Sequence, residues 1–269
     1  MKISILCDNQ SLNNHFSCEH GFSAYVEING CRILFDTGQS DCFIKNANLL
    51  GIRLEETDYV ILSHGHYDHT GGLDKLMSRF PHLRIAMHPS ATKRRFSTSS
   101  VMTKENGFPH KPLASKWEDQ TTLVRQWHEL LPGVIVFPLP FAAPENERLK
   151  EHSPTGELVA DTFLDELFIV LKEADKHVLL SGCTHHGIVQ VLDYCTTEHF
   201  IHHFHLVLGG LHLAGTDETA IKKQIAQCAT FDIEKFALNH CTGQLAFDLW
   251  SEAFKHKVIT AKAGETITI

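Results

Sequence analysis

The chain has 269 residues, 43% of them apolar, which is enough to build a hydrophobic core for one large domain or two ordinary ones. Its 24 Lys and Arg against 32 Asp and Glu leave a formal charge of −8, which excludes a general nucleic-acid binder, whose phosphate contacts need a basic surface. The unusual count is histidine, at 20, because imidazole is the commonest metal ligand and titrates near neutrality.

Residues 2–7 read as an apolar strand cut off by Asp8 and Asn9, without the basic region and longer apolar stretch of a signal peptide. Ser23–Ile28 and Cys31–Phe35 form a predicted hairpin around Asn29-Gly30, a strong short turn signal. Phe35-Asp36-Thr37-Gly38 closes that strand with a carboxylate and a glycine, and 42–50 carries helical spacing that Gly51 ends. An apolar strand at 59–62 runs into a polar, His-rich loop and a helix over 72–79, followed by a strand at 83–87. Periodicity is lost over 90–127, where Ser, Thr, Lys, Arg and Pro mix, and this segment is read as a lid or insertion. Strands return at 134–137, 167–171 and 178–180, then a helix at 187–195, a strand at 206–208 and an amphipathic helix at 216–229. Core strands at 235–238 and Val258–Thr260 and a tail strand at 266–269 complete the set.

No repeat or low-complexity linker divides the chain, so 1–269 is expected to be a single layered α/β domain. The eight cysteines are scattered with no C-x-x-C pair, which suits free thiols in a reducing compartment. No apolar run approaches the ~20 residues that span a bilayer. The expectation is a cytoplasmic protein with no membrane association and no general nucleic-acid partner, acting on a small molecule; the oligomeric state is open.

The most informative stretch is Ser63-His64-Gly65-His66-Tyr67-Asp68-His69-Thr70-Gly71-Gly72, between an apolar strand and a helix. In an extended loop His64 and His66 can point to one side, while Asp68 and His69 occupy the next bend and can turn to a second centre. Imidazole nitrogens plus a carboxylate suit zinc, iron or manganese, and two adjacent ions fit the spacing. Similar punctuation recurs: 178–180 runs into Ser181-Gly182-Cys183-Thr184-His185, 206–208 into Gly209-Gly210-Leu211-His212, and 236–238 into Asn239-His240-Cys241-Thr242-Gly243. In layered α/β proteins, residues just beyond strand C-termini gather at one edge of the sheet, so four strand ends offer histidine to one cleft.

This pattern resembles the metallo-β-lactamase superfamily, over essentially the whole chain. Glu19-His20-Gly21-Phe22-Ser23 and the three later segments are similar to the subgroup that includes a dihydropterin-condensing synthase of methanopterin biosynthesis. The resemblance implies an α/β fold arranged as a four-layer αββα sandwich, with a binuclear metal site at the edge of its two sheets. It implies His64 and His66 on the first metal, Asp68 and His69 on the second, His240 completing the second site and His185 the first. Members commonly carry Gly-Asp where this chain has Gly182-Cys183, so the bridging ligand is open between Cys183, His185 and an upstream carboxylate, Asp161, Asp165 or Glu166. Asp36 is expected to orient a ligating imidazole. His212 can ligate, bond a substrate oxygen or support other residues; His20 and Asn9 belong to the cleft rim. His186, His199, His202, His203 and His205 are expected to be solvent-facing or structural.

Two divalent ions, zinc first and manganese or iron as alternatives, would activate water for attack on an ester, lactone, amide, thioester or phosphodiester. Asp68 would ligate and orient the nucleophile, and His212 would steady charge or protonate a leaving group. Lys93, Arg94, Arg95, Lys104 and Lys111 in the 90–127 segment suggest an anionic substrate. The alternatives are the condensing synthase, a di-iron redox protein and a metabolite sensor without turnover.

Overall fold

The computed structural model describes residues 1–109, 117–153 and 155–269; Lys111 lies outside the described residues. Two seven-stranded sheets stack face to face. The first runs Thr266–Thr268, Lys2–Cys7, Ser23–Ile28, Cys31–Phe35, Tyr59–Ile61, Arg84–Met87 and Thr121–Leu123 in spatial order. The second runs Val258–Thr260, Phe236–Leu238, Leu206–Gly209, Lys176–Leu180, Leu167–Glu173, Val134–Pro138 and His128–Leu131.

Side chains alternate across a strand, so each apolar strand feeds two cores. Along Leu167–Glu173, Leu167, Ile169 and Leu171 join Ile3, Ile33 and Phe35 between the sheets, whereas Phe168 and Val170 face the opposite way. There they meet Ile188, Leu192, Ile221 and Trp250 from the helices Ile188–His199, Glu218–Cys228 and Gln244–Phe254. On the first sheet, Leu34 and Val60 face Phe43, Ala47, Leu73 and Leu76 from Cys42–Leu49 and Leu73–Arg79. Three cores between four layers make the expected αββα sandwich.

The predicted hairpin forms, with Asn29 at φ 48° and Gly30 at φ 76°, the two left-handed positions that an Asn-Gly turn supplies. Several bounds shift for local reasons. The helix predicted at 187–195 continues to His199 and stops at Phe200, left-handed at φ 57°, where no Gly or Pro announces an end. The helix Gln244–Phe254 has no counterpart among the predicted elements. Its apolar side is readable, with buried Ala246 and Trp250 four apart and Phe247 and Phe254 packed beside them, and the sequence reading passed over it. The 90–127 stretch divides. Arg95–Thr98 and Thr103–Glu105 join Leu149–His152 and Leu158–Ala160 in a separate four-stranded sheet, whereas Thr121–Leu123 extends the first large sheet. Strands of three or four residues, Thr103–Glu105 exposed throughout, carry too little alternation to be legible.

Cys31–Phe35, Tyr59–Ile61 and Arg84–Met87 are parallel neighbours, as are Lys176–Leu180, Leu206–Gly209 and Phe236–Leu238. Parallel strands discharge their following loops at the same end, which places Asp36, His64, Cys183, His212 and His240 on one edge of the sandwich.

Candidate metal centre

The chain leaves these strands through tight bends. Asp36, Thr184, His212 and His240 have φ of 60°, 58°, 49° and 47°, conformations that a non-glycine residue adopts at a cost. Gly71 and Gly72 follow the metal-type motif because a Cβ on either would run into the 37–40 backbone, at Gln39 O for the first and Thr37 O and Ser40 O for the second.

Asp36 is fully buried and anchors the motif. Its Oδ1 accepts from Ser63 N at 2.7 Å, and its Oδ2 accepts from Ser63 Oγ and His69 Nδ1, each at 2.6 Å. Ser63 Oγ also lies 2.9 Å from His64 Nδ1. Both rings are thereby fixed through Nδ1, leaving Nε2 turned inward. His64 Nε2 meets His66 Nδ1 at 3.1 Å, and the rings of His64 and His66 stand 5.0 and 5.2 Å from that of His185, on which Phe163 stacks at 3.7 Å. His69 Nε2 lies 3.2 Å from His240 Nε2 and 3.1 Å from Cys183 Sγ. Asp68 Oδ2 sits 3.1 Å from His20 Nε2, 3.5 Å from His240 Nε2 and 3.8 Å from His69 Nε2. Asn9 Oδ1 accepts from His240 Nδ1 at 2.9 Å, and Asp8 Oδ1 from His240 N at 2.7 Å.

The residues therefore fall into two adjoining groups, His64, His66 and His185 beside Asp68, His69 and His240, with Cys183 touching both. His212 stands against His185, ring centres 4.2 Å apart, and its buried Nδ1 has no partner. The three upstream carboxylates point elsewhere. Asp161 and Asp165 bind the buried guanidinium of Arg95, and Asp165 Oδ2 also accepts from Gly65 N at 2.8 Å. Glu166 accepts from His185 N, His186 N and His186 Nδ1 at 2.7, 3.1 and 2.7 Å, which makes buried His186 a clamp on the His185 turn. Sequence reasoning passed over Ser63, Phe163 and Cys241. Cys241 Sγ reaches Cys183 O at 3.6 Å and receives His212 N at 3.3 Å, and its only sequence signal is its place beside His240.

Burial, reinforced by neighbouring imidazoles, holds His64 and His185 well below the ordinary histidine range; burial likewise takes His66 down to about 3. These rings are neutral, with lone pairs to offer. Burial pushes Asp68 upward, but His69, His20 and His240 outweigh it and keep it a carboxylate, well below its usual value. Burial also opposes charging His69, yet Asp36 and Asp68 lift it to about 9. The donors fit divalent metal ions: imidazoles, a carboxylate and a thiol converge, His69 having to give up its Nε2 proton to ligate, and buried Nε2 atoms of His66 and His185 find no protein partner. His64, His66 and His185 would hold one ion and Asp68, His69 and His240 another. Replacing Asp36 by Asn removes the carboxylate behind His69, and we expect metal affinity, read by competition with a chelating dye, to fall about 10- to 100-fold.

Above the cluster lies a cavity of about 240 Å³ lined by His20, Tyr67, Lys104, Asn106, Leu149 and His212 among others. It adjoins a groove of about 410 Å³ that shares Lys104, Leu149 and His212 and adds Asn146 and Arg148. Among the described residues, three of the basic side chains of the 90–127 segment are paired: Lys93 with Glu151 at 3.2 Å, Arg94 with Glu105 at 3.0 Å, and Arg95 with Asp161 and Asp165. Lys104 stands at the cavity wall, 5.6 Å from the Tyr67 ring centre.

The metallo-beta-lactamase superfamily profile matches residues 17–219. The chain belongs to that superfamily. It is 30% identical to the 7,8-dihydropterin-6-methyl-4-(beta-D-ribofuranosyl)-aminobenzene-5'-phosphate synthase of Methanocaldococcus jannaschii, over 97% of this chain and 93% of that one. It also resembles the crystal structure of a metal-dependent hydrolase of the beta-lactamase superfamily, with a TM-score of 0.84 and 29% identity, covering 100% of this chain and 99% of the other. Zn²⁺-bound PqqB from Methylobacterium extorquens shares the fold at 14% identity, TM-score 0.63, with 100% of both chains covered. The two sheets of this sandwich carry the histidine-rich edge on loops that follow parallel strands. No helix among the described residues is long and apolar enough to cross a membrane.

Proposed function

We propose that the protein is a zinc-loaded binuclear metallohydrolase that cleaves a small anionic substrate of the ester, lactone or phosphodiester class. The observation that carries this reading is the pair of adjoining donor groups, His64, His66 and His185 beside Asp68, His69 and His240, of which His66, His185, Asp68 and His240 line a cavity with Lys104 on its wall. Five imidazoles with a thiol favour zinc over harder ions. Divalent ions held by these residues would supply a water of pKa near 7 and a Lewis acid for the oxygen of the bond under attack.

The chain's own residues do the rest. Lys104 holds the anionic part of the substrate at the cavity wall, and Phe163 and Leu149 present apolar surface that keeps bulk water out. Asp68 orients the attacking water, and His20, 3.1 Å from Asp68 Oδ2 and itself half exposed, takes the proton toward solvent. His212 stands at the cavity wall, where an imidazolium can protonate a leaving oxygen.

A second reading is favoured by the 30% identity with the dihydropterin synthase over nearly the full length of both chains. In it the same cleft joins a methyl-dihydropterin to a ribofuranosyl-aminobenzene phosphate. The zinc-reconstituted protein should be offered an ester, a lactone, a phosphodiester, and a dihydropterin diphosphate with and without the aminobenzene acceptor. Zinc-dependent cleavage of one of the first three supports the hydrolase; diphosphate release that needs the acceptor replaces it with the synthase. On whichever anionic substrate turns over, Lys104→Ala should raise KM about tenfold, the worth of one charge-assisted contact, with kcat nearly unchanged. A neutral analogue that loses as much would remove Lys104 from substrate binding.

A further inference from the structure

Cys183 occupies a position unlike any other in the cleft. Its Sγ belongs to the trio with His64 and His185 and equally to the trio with His69 and His240, each trio having all its donor atoms within 4.8 Å of one another. It lies 3.1 Å from His69 Nε2, which in turn lies 3.2 Å from His240 Nε2. Ligands on one tetrahedral zinc, with bonds near 2.0–2.1 Å to nitrogen and 2.3 Å to sulfur, stand roughly 3.3–3.6 Å apart, so these hydrogen-bonded donors need to part by only a few tenths of an ångström to share an ion. The side chain is 3% exposed. The bend behind it is pressed against the histidine loop, since a Cβ on Gly182 would collide with Ser63 Oγ. The carboxylates close in sequence are all engaged: Asp161 and Asp165 with Arg95, Glu166 with His185 N and His186.

We infer that Cys183 Sγ is a single ligand shared by the two histidine groups, a thiolate bridge that makes the centre select thiophilic ions such as zinc and cobalt over manganese and magnesium. This rests on the two-metal reading above. A metal-bound thiol loses its proton to bulk water on loading, and the sulfur lone pairs then reach both ions. Cys241 is the neighbouring thiol that the test must separate from Cys183: its Sγ forms a further trio with Cys183 and His212, and it bonds Cys183 O and His212 N, but it is in neither trio with His64 or His69.

The test is cobalt(II) titration of the metal-free protein, followed by absorbance and by elemental analysis. Two equivalents should bind, with a near-ultraviolet thiolate-to-cobalt charge-transfer band that Cys241→Ser keeps and Cys183→Ser abolishes. Cys183→Asp should still bind two ions, lose the band, and shift relative affinity from cobalt toward manganese by about tenfold or more, as expected on exchanging a soft ligand for a hard one. Should Cys183→Ser fail to fold by circular dichroism, Cys183→Asp gives the same reading. A band that survives both Cys183 variants, or that disappears with Cys241→Ser, overturns the bridge. Two equivalents of cobalt without any thiolate band overturn the bridge and leave the two-metal reading standing, whereas fewer than two equivalents in the unaltered protein overturn both.

Discussion

Chelating the metal-loaded protein, or replacing His64 and His66 together by alanine, should lower turnover on the order of a thousand-fold or more, because water at neutral pH becomes a strong nucleophile only when its pKa falls from 15.7 to near 7. The two histidines are the right pair to remove. His64 is fully buried and held through Nδ1 by Ser63 Oγ, and its Nε2 faces His66 Nδ1 at 3.1 Å. Alanine at both sites deletes two donors of one group while leaving Asp36, Ser63 and His69 in place to maintain the other. Elemental analysis should therefore show a loss of one ion alongside the loss of rate, and adding zinc should restore the chelated protein but not the variant. Full occupancy with unchanged rate in the double variant would sink the assignment of this group.

Arg95→Ala should be the most destabilising single change outside the hydrophobic cores, costing about 3–5 kcal/mol, the usual result of stripping one partner from a buried ion pair. Arg95 is 1% exposed, and Nε binds Asp161 at 2.8 Å while another guanidinium nitrogen binds Asp165, which is fully buried. Without the cation, two carboxylates stay in the interior unpaired. Burial pushes Asp165 up to about 6, with Arg95 working against the rise. A carboxyl whose folded pKa exceeds its unfolded value, near 3.9, is tolerated when protonated; the penalty is absent below about pH 4, grows between about 4 and 6 and is constant above that. Removing Arg95 raises that pKa further, so the variant should lose more stability at pH 8 than at pH 5. Urea unfolding at the two pH values reads this directly, and an equal loss at both would show that Asp165 does not carry the effect. Because Asp165 also receives Gly65 N, the same variant should loosen the loop that carries His64 and His66.

Much of this molecule is legible in its sequence because the signals are local. The alternation through Leu167–Glu173, the Asn29-Gly30 turn and the spacing of His64, His66, Asp68 and His69 all lie within a few residues, and backbone geometry turns such spacing into a face or a bend without help from elsewhere. The resemblance carried by those residues extended the reading to the family and the four layers. Other features were hidden because they exist only after folding. Nothing near Cys183 in sequence says that its sulfur meets His69, 114 positions away, or that the carboxylates at Asp161, Asp165 and Glu166 turn to Arg95 and to the His185 bend. Nothing near Lys93 and Arg94 says that Glu151 and Glu105 pair with them while Lys104 stands at the cavity. The chain by itself determined the strands, the motif and the chemistry of its donors; the tertiary structure decided which donors share a centre, because parallel strands separated by more than a hundred residues end at one edge, and only there do short-range forces between their side chains begin to act.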